Sequence, residues 1–286
     1  MSTASDPSAL TAEGTAAYRG QVEDAASSLP RPSASPTVGV VHDTESDDVL
    51  DEATTEATVS CADIPHFPAP EGTLRTGTVD GTGLIELNQS LHLYHGHSPR
   101  EVTFPVRMLA TAGVDTLLLT TAAGSVNPQF ERGAVMLLTD HINFQGQNPL
   151  VGPNVEAWGP RFPDMTEPYD PALRRTASDV ARERGLSLRK GIFLALLGPN
   201  RETTAEHRMA RRLGADAVGT SVVPEVIAAH HMDVRVMALA LLTKRHLTDD
   251  GPPAPANETD DSLHRSRLHR LLTGVVGRLS TANSTT

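Results

Sequence analysis

Short apolar runs alternate with polar, glycine-containing stretches along most of this chain. Runs of four to eight residues rich in Val, Ile and Leu are typical of buried strands, and apolar residues three and four apart are typical of helices. The runs predict strands at residues 38–41, 84–87, 116–120, 135–138, 192–197, 215–218 and 234–242. The helical spacing predicts helices at residues 99–112, 171–184, 204–213 and 224–231. This alternation predicts an α/β fold, a single domain with a mixed, largely parallel central sheet flanked by helices.

The two ends of the chain differ in composition from the middle. Residues 1–37 are rich in Ser, Ala, Pro and Thr, which predicts a flexible N-terminal segment. Within it, residues 9–29 can form one amphipathic helix. Near the other end, residues 262–279 predict a last amphipathic helix. We therefore expect one domain over residues 38–281 and a short tail at residues 282–286.

Composition and charge exclude several classes of function. The 286 residues carry a formal net charge of −11, which disfavours the clustered Lys and Arg of a nucleic-acid-binding protein. Cys61 is the single cysteine, which rules out an internal disulfide and favours a reducing compartment. No apolar run approaches the roughly 18 residues of a membrane span, and the polar first residues do not predict a secretory signal. We expect a cytoplasmic protein that binds no metal, no nucleic acid and no membrane.

The stretch GPNRETTAEHRMARRLGADAVGTSVVPEV contains the clearest candidate site. The strand before it ends in a Gly-Pro turn signal, and Thr203 or Thr204 can cap the helix that follows. A second short strand then exposes Ser221 and Glu225 at its end. Glu202 and Ser221 thus come to one place at the edge of the sheet, where open α/β sheets bind ligands. A carboxylate and a hydroxyl beside glycines can bind a small polar molecule.

These motifs also carry a resemblance. GPNRET and GADAVGTSVVPEV are similar to GPxxET and GADAVGMSTVPE of the trimeric purine nucleoside phosphorylase family, and further matches follow in chain order at HFP, HLYHG, EVTFPVR, TAAGSVNP, DHINF and NPLVGPN. The resemblance runs from about residue 38 to the last helix. It implies a nucleoside phosphorylase-like domain and a homotrimer. It also implies conversion of a purine nucleoside and phosphate to the base and ribose 1-phosphate, with phosphate as co-substrate and no cofactor.

The resemblance implies a purine pocket with altered chemistry. Glu202 matches the family glutamate that accepts hydrogen bonds from the purine. Lys244 stands where the family has an asparagine that bonds the purine N7, and a lysine can donate a hydrogen bond there but cannot accept one. Arg201 replaces an aromatic residue that stacks on the base. The other positions implied to bind the substrate are Tyr94, Ala123, Gly124, Phe162, Val218, Thr220, Thr243 and Asn257, with Phe162 resembling the aromatic that reaches into the neighbouring subunit's site.

The implied phosphate site has lost its main cation. The family has a Gly-Ser-Gly loop after the first strand, and here Thr44 stands at the serine position between acidic neighbours. Ser90 stands where the family has its phosphate-binding arginine. The positions kept are His92, the backbone N–H of Ala122, and Ser221. Like charges about 4 Å apart repel by about 4 kcal/mol at an effective dielectric constant of about 20, so the acidic loop predicts weakened phosphate binding.

The sequence leaves three activities open. The first is phosphorolysis that is altered or weakened, with Glu202, Lys244 and His92 as catalytic residues. The second is hydrolysis of an unusual purine nucleoside, in which Asp43 or Glu45 activates water. The third is a catalytically inactive trimeric homologue that serves as a binding partner. Outside the matched motifs, we expect histidines such as His207 and His231 at the surface.

Overall fold

Six α-helices and nine strands, with two short 3-10 helices at Cys61–Asp63 and Leu93–His95, make up the secondary structure of the described part of the chain. The computed structural model describes residues 11–35, 37–43, 49, 54–245 and 258–282. The helices are α1 (Ala12–Ser28), α2 (Pro99–Thr111), α3 (Pro171–Glu183), α4 (Thr204–Arg212), α5 (Val223–His231) and α6 (Glu258–Ala282). The strands are β1 (Thr37–His42), β2 (Thr54–Ser60), β3 (Thr73–Val79), β4 (Thr82–Leu87), β5 (Thr116–Ser125), β6 (Val135–Asn143), β7 (Leu188–Ala195), β8 (Ala217–Gly219) and β9 (Arg235–Arg245). The predicted strands and helices are thus confirmed, most of them with shifted ends.

All nine strands belong to one mixed sheet, in the order β2-β3-β4-β1-β5-β8-β7-β6-β9. Because β5 also pairs with β9, the strands β5, β8, β7, β6 and β9 form a closed ring. Parallel pairs join β1 to β4 and β5, β5 to β9, and β7 to β6 and β8. Antiparallel pairs join β2 to β3, β3 to β4, β5 to β8, and β6 to β9. The predicted mixed, largely parallel sheet is confirmed.

Strands β2 and β3 were not predicted. Their sequences, TTEATVS and TLRTGTV, are rich in threonine and contain few large apolar residues, so they lack the apolar runs of the other strands. They lie at the far end of the sheet, and β2 is mostly exposed. Threonine suits a strand that is half in water because its branched side chain fits the pleated surface.

Helices cover both faces of the sheet, which explains the continuous apolar runs in the strands. Along β1, Val41 packs into the core cluster that includes residues of α1, α2 and α5. Val38 and Val40 pack into the cluster that includes residues of α3 and α6. Within the described helices, none combines the length and apolar character needed to cross a bilayer.

The N-terminal helix α1 packs against α2. Val22 and Ala25 are fully buried, and the Tyr18 hydroxyl donates a hydrogen bond to the Arg100 carbonyl at 2.7 Å. The predicted amphipathic helix is therefore present. The division of the chain at residues 37 and 281 stays a prediction.

Capping fixes where the helix beside the candidate site begins. The Thr203 side chain accepts from the Glu206 backbone N–H at 3.2 Å, and the Glu206 carboxylate accepts from the Thr203 backbone N–H at 2.6 Å. This reciprocal pair satisfies two N–H groups that the first turn leaves free. Helix α4 ends before Gly214, whose φ of +92° is the left-handed conformation that glycine adopts without a steric penalty. Thr203 is thus the cap, and Glu202 lies immediately outside the helix.

Candidate functional site

The site forms where β5 extends beyond the end of β1. His42, the last residue of β1, pairs with Thr120, so Asp43 follows at the level of Thr121. Strand β8 runs antiparallel to this extension, with Val218 opposite Gly124. The chain that leaves β8 therefore passes back along β5 toward Thr121. This topology brings residues 43, 121 and 221 together although they are far apart in sequence.

Three donors converge on the carboxylate of Asp43. One oxygen, Oδ2, accepts from the Ser221 hydroxyl at 2.5 Å and from the Thr121 hydroxyl at 3.0 Å. The other, Oδ1, lies 2.9 Å from Nε2 of His92. The Thr121 and Ser221 hydroxyl oxygens are themselves 2.6 Å apart. We call Asp43, His92, Thr121 and Ser221 the acid cluster. Its carboxylate and imidazole are 11% and 13% exposed, so water screens them only partly.

Glu225 lies beside the acid cluster and is buried. Burial, together with the negative charge of Asp43, raises the pKa of Glu225 to about 8. Its Oε2 atom has no hydrogen-bond partner among the described residues. Burial opposes protonation of His92, but the hydrogen bond and charge of Asp43, with the charge of Glu225, raise the pKa of His92 above its ordinary value. The expectation that Ser221 and Glu225 are exposed is wrong. The Ser221 hydroxyl is buried against Asp43, and α5 starts two residues before Glu225 and carries that side chain into the interior.

A strained turn positions Ser221. Val222 has φ +61° and ψ −32°, and the Val223 N–H donates to the Ser221 carbonyl at 2.9 Å. A β-branched residue at positive φ is a steric outlier, and this three-residue turn is the rare, strained form. Such strain persists where the surrounding structure holds it, often at functional sites. Here the turn connects β8 to α5 and holds the Ser221 hydroxyl against Asp43.

Several residues of the predicted purine pocket lie at the ends of β5, β8 and β9. Gly124 pairs with Val218 on one side and with Lys244 on the other. Because Ala123 pairs with Leu242, Thr243 is an extra residue in β9, and its hydroxyl donates to the Ala123 carbonyl at 3.4 Å. An extra residue of this kind bends a strand and redirects the side chains after it. The bulge therefore places Lys244 beside Gly124.

Charged side chains surround this pocket. Burial lowers the pKa of Lys244, the charge of Arg201 lowers it further, and the charge of Glu202 acts in the opposite direction. Oε2 of Glu202 lies 3.5 Å from Nε2 of His207. The expectation that His207 lies at the surface is wrong, because the first turn of α4 carries this ring inward toward Glu202. His231 is also buried, at the last turn of α5, which packs against the sheet and α2. We call Glu202, Lys244, Gly124 and Val218 the base pocket.

The acid cluster and the base pocket lie along the same strand, β5. Thr121 and Gly124 lie three residues apart on β5, which is about 10 Å at the rise of a strand. Tyr94 stacks on His92 with ring centroids 4.7 Å apart. A Cβ atom on Gly198 would come within 3.0 Å of Thr220 and 3.5 Å of Tyr94, so both side chains pack close to the Gly198 backbone. Among the described residues, no group of three or more His, Cys, Asp or Glu is arranged to hold a metal ion.

Comparison with known proteins places this geometry in a family. The sequence model of the phosphorylase superfamily matches residues 37–276. The chain belongs to this superfamily. It is 41% identical over 214 residues to purine nucleoside phosphorylase 1 of Bacillus subtilis (strain 168), which covers 73% of this chain and 79% of the relative.

Two solved structures share the fold. The Schistosoma purine nucleoside phosphorylase in complex with hypoxanthine superposes with a TM-score of 0.84 at 30% identity, over 91% of this chain and 97% of the other. The Schistosoma mansoni purine nucleoside phosphorylase in complex with inosine gives a TM-score of 0.80 at 29% identity, over 91% and 95% of the two chains.

Most of the predicted site residues of this phosphorylase-superfamily chain come together in the structure. Around the acid cluster, Ser90 lies two residues before His92, and Ala122 follows Thr121 and is exposed. Arg201 is exposed and lies near Lys244. Phe162 is 87% exposed and stands apart from both groups within this single chain. Thr44 and Asn257 lie outside the described residues, as does the predicted water-activating Glu45. The binding and catalytic roles of all these residues stay predictions.

The structure shows contacts of two residues, Thr121 and Glu225, whose roles the motifs did not predict. Thr121 is the first residue of TAAGSVNP, but only the fold shows that its hydroxyl faces Ser221. Glu225 is a carboxylate within VPEV, and only its burial beside Asp43 gives it a raised pKa. The sequence contained one signal for each of them: both are polar residues inside a matched motif. The motif itself gave neither residue a role.

Proposed function

We propose that this protein cleaves the N-glycosidic bond of purine nucleosides and releases the base. The observation that carries the proposal is the base pocket, in which the Glu202 carboxylate and the Lys244 ammonium act on each other beside Gly124 and Val218. The purine nucleoside phosphorylases that resemble the chain support the class of reaction, a pentosyl transfer. Thr121 of the acid cluster and Gly124 of the base pocket lie about 10 Å apart along β5, and the proposal places the ribose between the two groups.

Each group has a task in this reaction. Glu202 accepts hydrogen bonds from N–H groups at one edge of the purine. Lys244 donates a hydrogen bond to a ring nitrogen at the other edge as negative charge builds up on the departing base. Ring stacking of Tyr94 on His92 forms a wall beside the sugar. The acid cluster places the negative charge of Asp43 near the ribose, which becomes positively charged in the transition state.

The substrate class follows from the chemistry of Glu202. An ionised carboxylate only accepts hydrogen bonds, so it favours purines that carry an N–H at N1, as hypoxanthine and guanine do, over adenine, which does not. The hypoxanthine and inosine bound by the Schistosoma relatives fit this preference. We propose 6-oxopurine nucleosides as substrates.

The oligomeric state, the compartment and the absence of a cofactor are also proposals. The family resemblance and the exposed Phe162 support a homotrimer in which Phe162 reaches a neighbouring site. The single cysteine supports a cytoplasmic location, and the family resemblance supports an enzyme that needs no cofactor. A catalytically inactive homotrimer is the alternative, because Ser90 and Lys244 replace family residues.

Base release tests the proposed function. The full chain is incubated with inosine, guanosine or adenosine, with and without phosphate, and released base is measured by chromatography. We expect release from inosine and guanosine and little from adenosine. Glu202→Gln, which keeps the shape but loses the charge, should abolish this preference and lower the rate, whereas exposed Glu71→Gln should not. No release from any nucleoside, by protein that hypoxanthine still stabilises against heat, would identify an inactive homologue.

A further inference from the structure

We infer that Asp43 occupies the place of a phosphate nucleophile, and that this site uses water to release the base and produces free ribose. The inference rests on the proposed function and specifies its second reactant. Three lines of observation support it: the donors of the acid cluster are already occupied, the carboxylate that they surround is negatively charged, and that carboxylate has room for one more hydrogen bond.

The donors that would hold an anion already bind one within the chain. Ser221 and Thr121 have one hydroxyl proton each, and both lie within hydrogen-bond distance of Oδ2 of Asp43. Nε2 of His92 bonds Oδ1 of the same carboxylate. An incoming phosphate would therefore have to replace the Asp43 carboxylate at each of these groups.

The negative charge of the Asp43 carboxylate opposes the binding of phosphate beside it. Repulsion between like charges about 4 Å apart corresponds to a roughly thousandfold loss of affinity at an intermediate dielectric constant. Among the described residues, His92 is the only cation-capable side chain in contact with Asp43. Ser90, two residues before it, offers only a neutral hydroxyl. Phosphate thus lacks a guanidinium or ammonium partner at this position.

Asp43 can still activate a water molecule. Each carboxylate oxygen has two acceptor positions, and Oδ1 uses one of them for His92. The remaining position can accept a proton from water placed beneath the ribose. Two further buried atoms, Oε2 of Glu225 and Nδ1 of His92, have no hydrogen-bond partner in the described part of the chain.

The reaction balances with water as its only second reactant. The water oxygen forms a bond to C1′ of the ribose, and the bond between C1′ and the purine nitrogen breaks with its electron pair going to the base. The water proton passes to Asp43, and the base takes up a proton from Lys244. Both residues return to their starting states by exchange with solvent. The products are free base and ribose.

Product analysis with and without phosphate tests the inference. The full chain is given inosine in phosphate-free buffer and in millimolar phosphate, and ribose and ribose 1-phosphate are measured separately. We expect equal rates of base release and free ribose in both buffers. Release that requires phosphate and yields ribose 1-phosphate overturns the inference while it keeps the proposed function. No release in either buffer overturns both.

Variants of Asp43 separate a chemical role from a structural one. Asp43→Asn should lower the phosphate-free rate about 10² to 10⁴-fold, the contribution of a general base, while stabilisation by hypoxanthine is kept. Asp43→Gly combined with Ser90→Arg frees the donors and adds a cation, so phosphate should now stimulate release. The exposed Asp63→Asn is the matched control and should behave as the unaltered protein. An unchanged phosphate-free rate in Asp43→Asn contradicts the assigned role.

Discussion

Lys244 and Lys190 are the only two lysines of the chain, and they lie in different surroundings. Lys190 is exposed on β7, whereas Lys244 is partly buried beside Gly124, near both Arg201 and Glu202. An ammonium group in such surroundings interacts more strongly with a nearby charge than it would in water, because the surroundings screen its charge less.

The first prediction concerns this ammonium group. Lys244→Met keeps the length of the side chain and removes its charge and its donors. We expect kcat for base release to fall about 10² to 10³-fold, the effect of losing one donor that stabilises transition-state charge. Steady-state kinetics with inosine measure it. Lys190→Met is the control and should leave kcat unchanged, and an equal effect of both substitutions would contradict the assignment.

The second prediction concerns Glu225 and pH. Its pKa is raised from the ordinary 4.5 to about 8, so between these values the folded protein keeps a proton that the unfolded chain loses. The resulting stabilisation is complete below the unfolded pKa and is lost as pH rises through the folded pKa. The raised pKa of His92 acts in the same direction.

Thermal unfolding from pH 5 to 8 measures this effect. Glu225→Gln cannot lose a proton, so its Tm should fall less over this range than that of the unaltered protein. The exposed Glu71→Gln is the matched control and should keep the original slope. Parallel Tm curves for Glu225→Gln and the unaltered chain would show that Glu225 is ionised in both states.

At the residue scale, motifs predicted the base pocket better than the acid cluster. Glu202, Gly124 and Val218 belong to matched stretches, and the structure brings them together. The contacts of Asp43 depend on where the ends of β1 and β8 meet, and sequence spacing does not contain that information. The charge of Asp43 suggested that it repels phosphate. It did not suggest that Ser221 and His92 bond directly to the Asp43 carboxylate.

At the scale of elements, the short strand β8 determines the geometry of both groups of residues. It holds Val218 in the base pocket, and the turn after it holds Ser221 in the acid cluster. A Cβ atom on Gly219 would lie 2.6 Å from the Phe193 ring and 3.2 Å from the Ala122 carbonyl. Only glycine allows β8 to approach its neighbours this closely.

The third prediction follows from this close approach. Gly219→Ala must displace the Phe193 ring or the strand, which costs about 1–3 kcal/mol of unfolding free energy, as overpacking does in other cores. Denaturant unfolding measures it. Gly20→Ala in α1 is the control, because open space surrounds that position and alanine favours a helix by about 0.5–1 kcal/mol. Equal stabilities of the two variants would contradict the steric argument.

Strands and helices were predictable where the local sequence pattern favoured the same structure as the packing of the whole fold. The buried strands have apolar runs, and α4 has its capping threonine, so each was expected from short-range patterns. Strands β2 and β3 contain mostly threonine and small residues, and their pairing with β4 stabilises them in the sheet. Tertiary pairing of this kind overrides weak local signals.

At the scale of the whole molecule, the surface carries large apolar side chains. Phe162, Val151 and Phe144 are 87%, 58% and 51% exposed. They lie within one stretch of the chain, between β6 and α3. Apolar surface of this kind often marks an interaction site. The resemblance predicts that this site is the contact between subunits.

The fourth prediction tests that contact. If Phe162 completes a neighbouring site, Phe162→Ser should raise KM for inosine at least about tenfold, the effect of losing part of a buried aromatic contact, while the fold is kept. Light scattering with chromatography measures the oligomeric state, and kinetics measure KM. Leu213→Ser, at another exposed apolar side chain, is the control. A monomer with an unchanged KM contradicts the predicted trimer.

The closed ring of strands has a consequence for how ligands enter and leave. Strands β5, β8 and β9, which carry most of the base pocket, have neighbours on both sides within the ring. Separating them requires breaking hydrogen bonds on two edges at once, which occurs only in the rare openings that approach global unfolding. Access to the site therefore depends on side chains and connecting loops. The strands that carry the base pocket are thus expected to stay in place when a ligand binds or leaves.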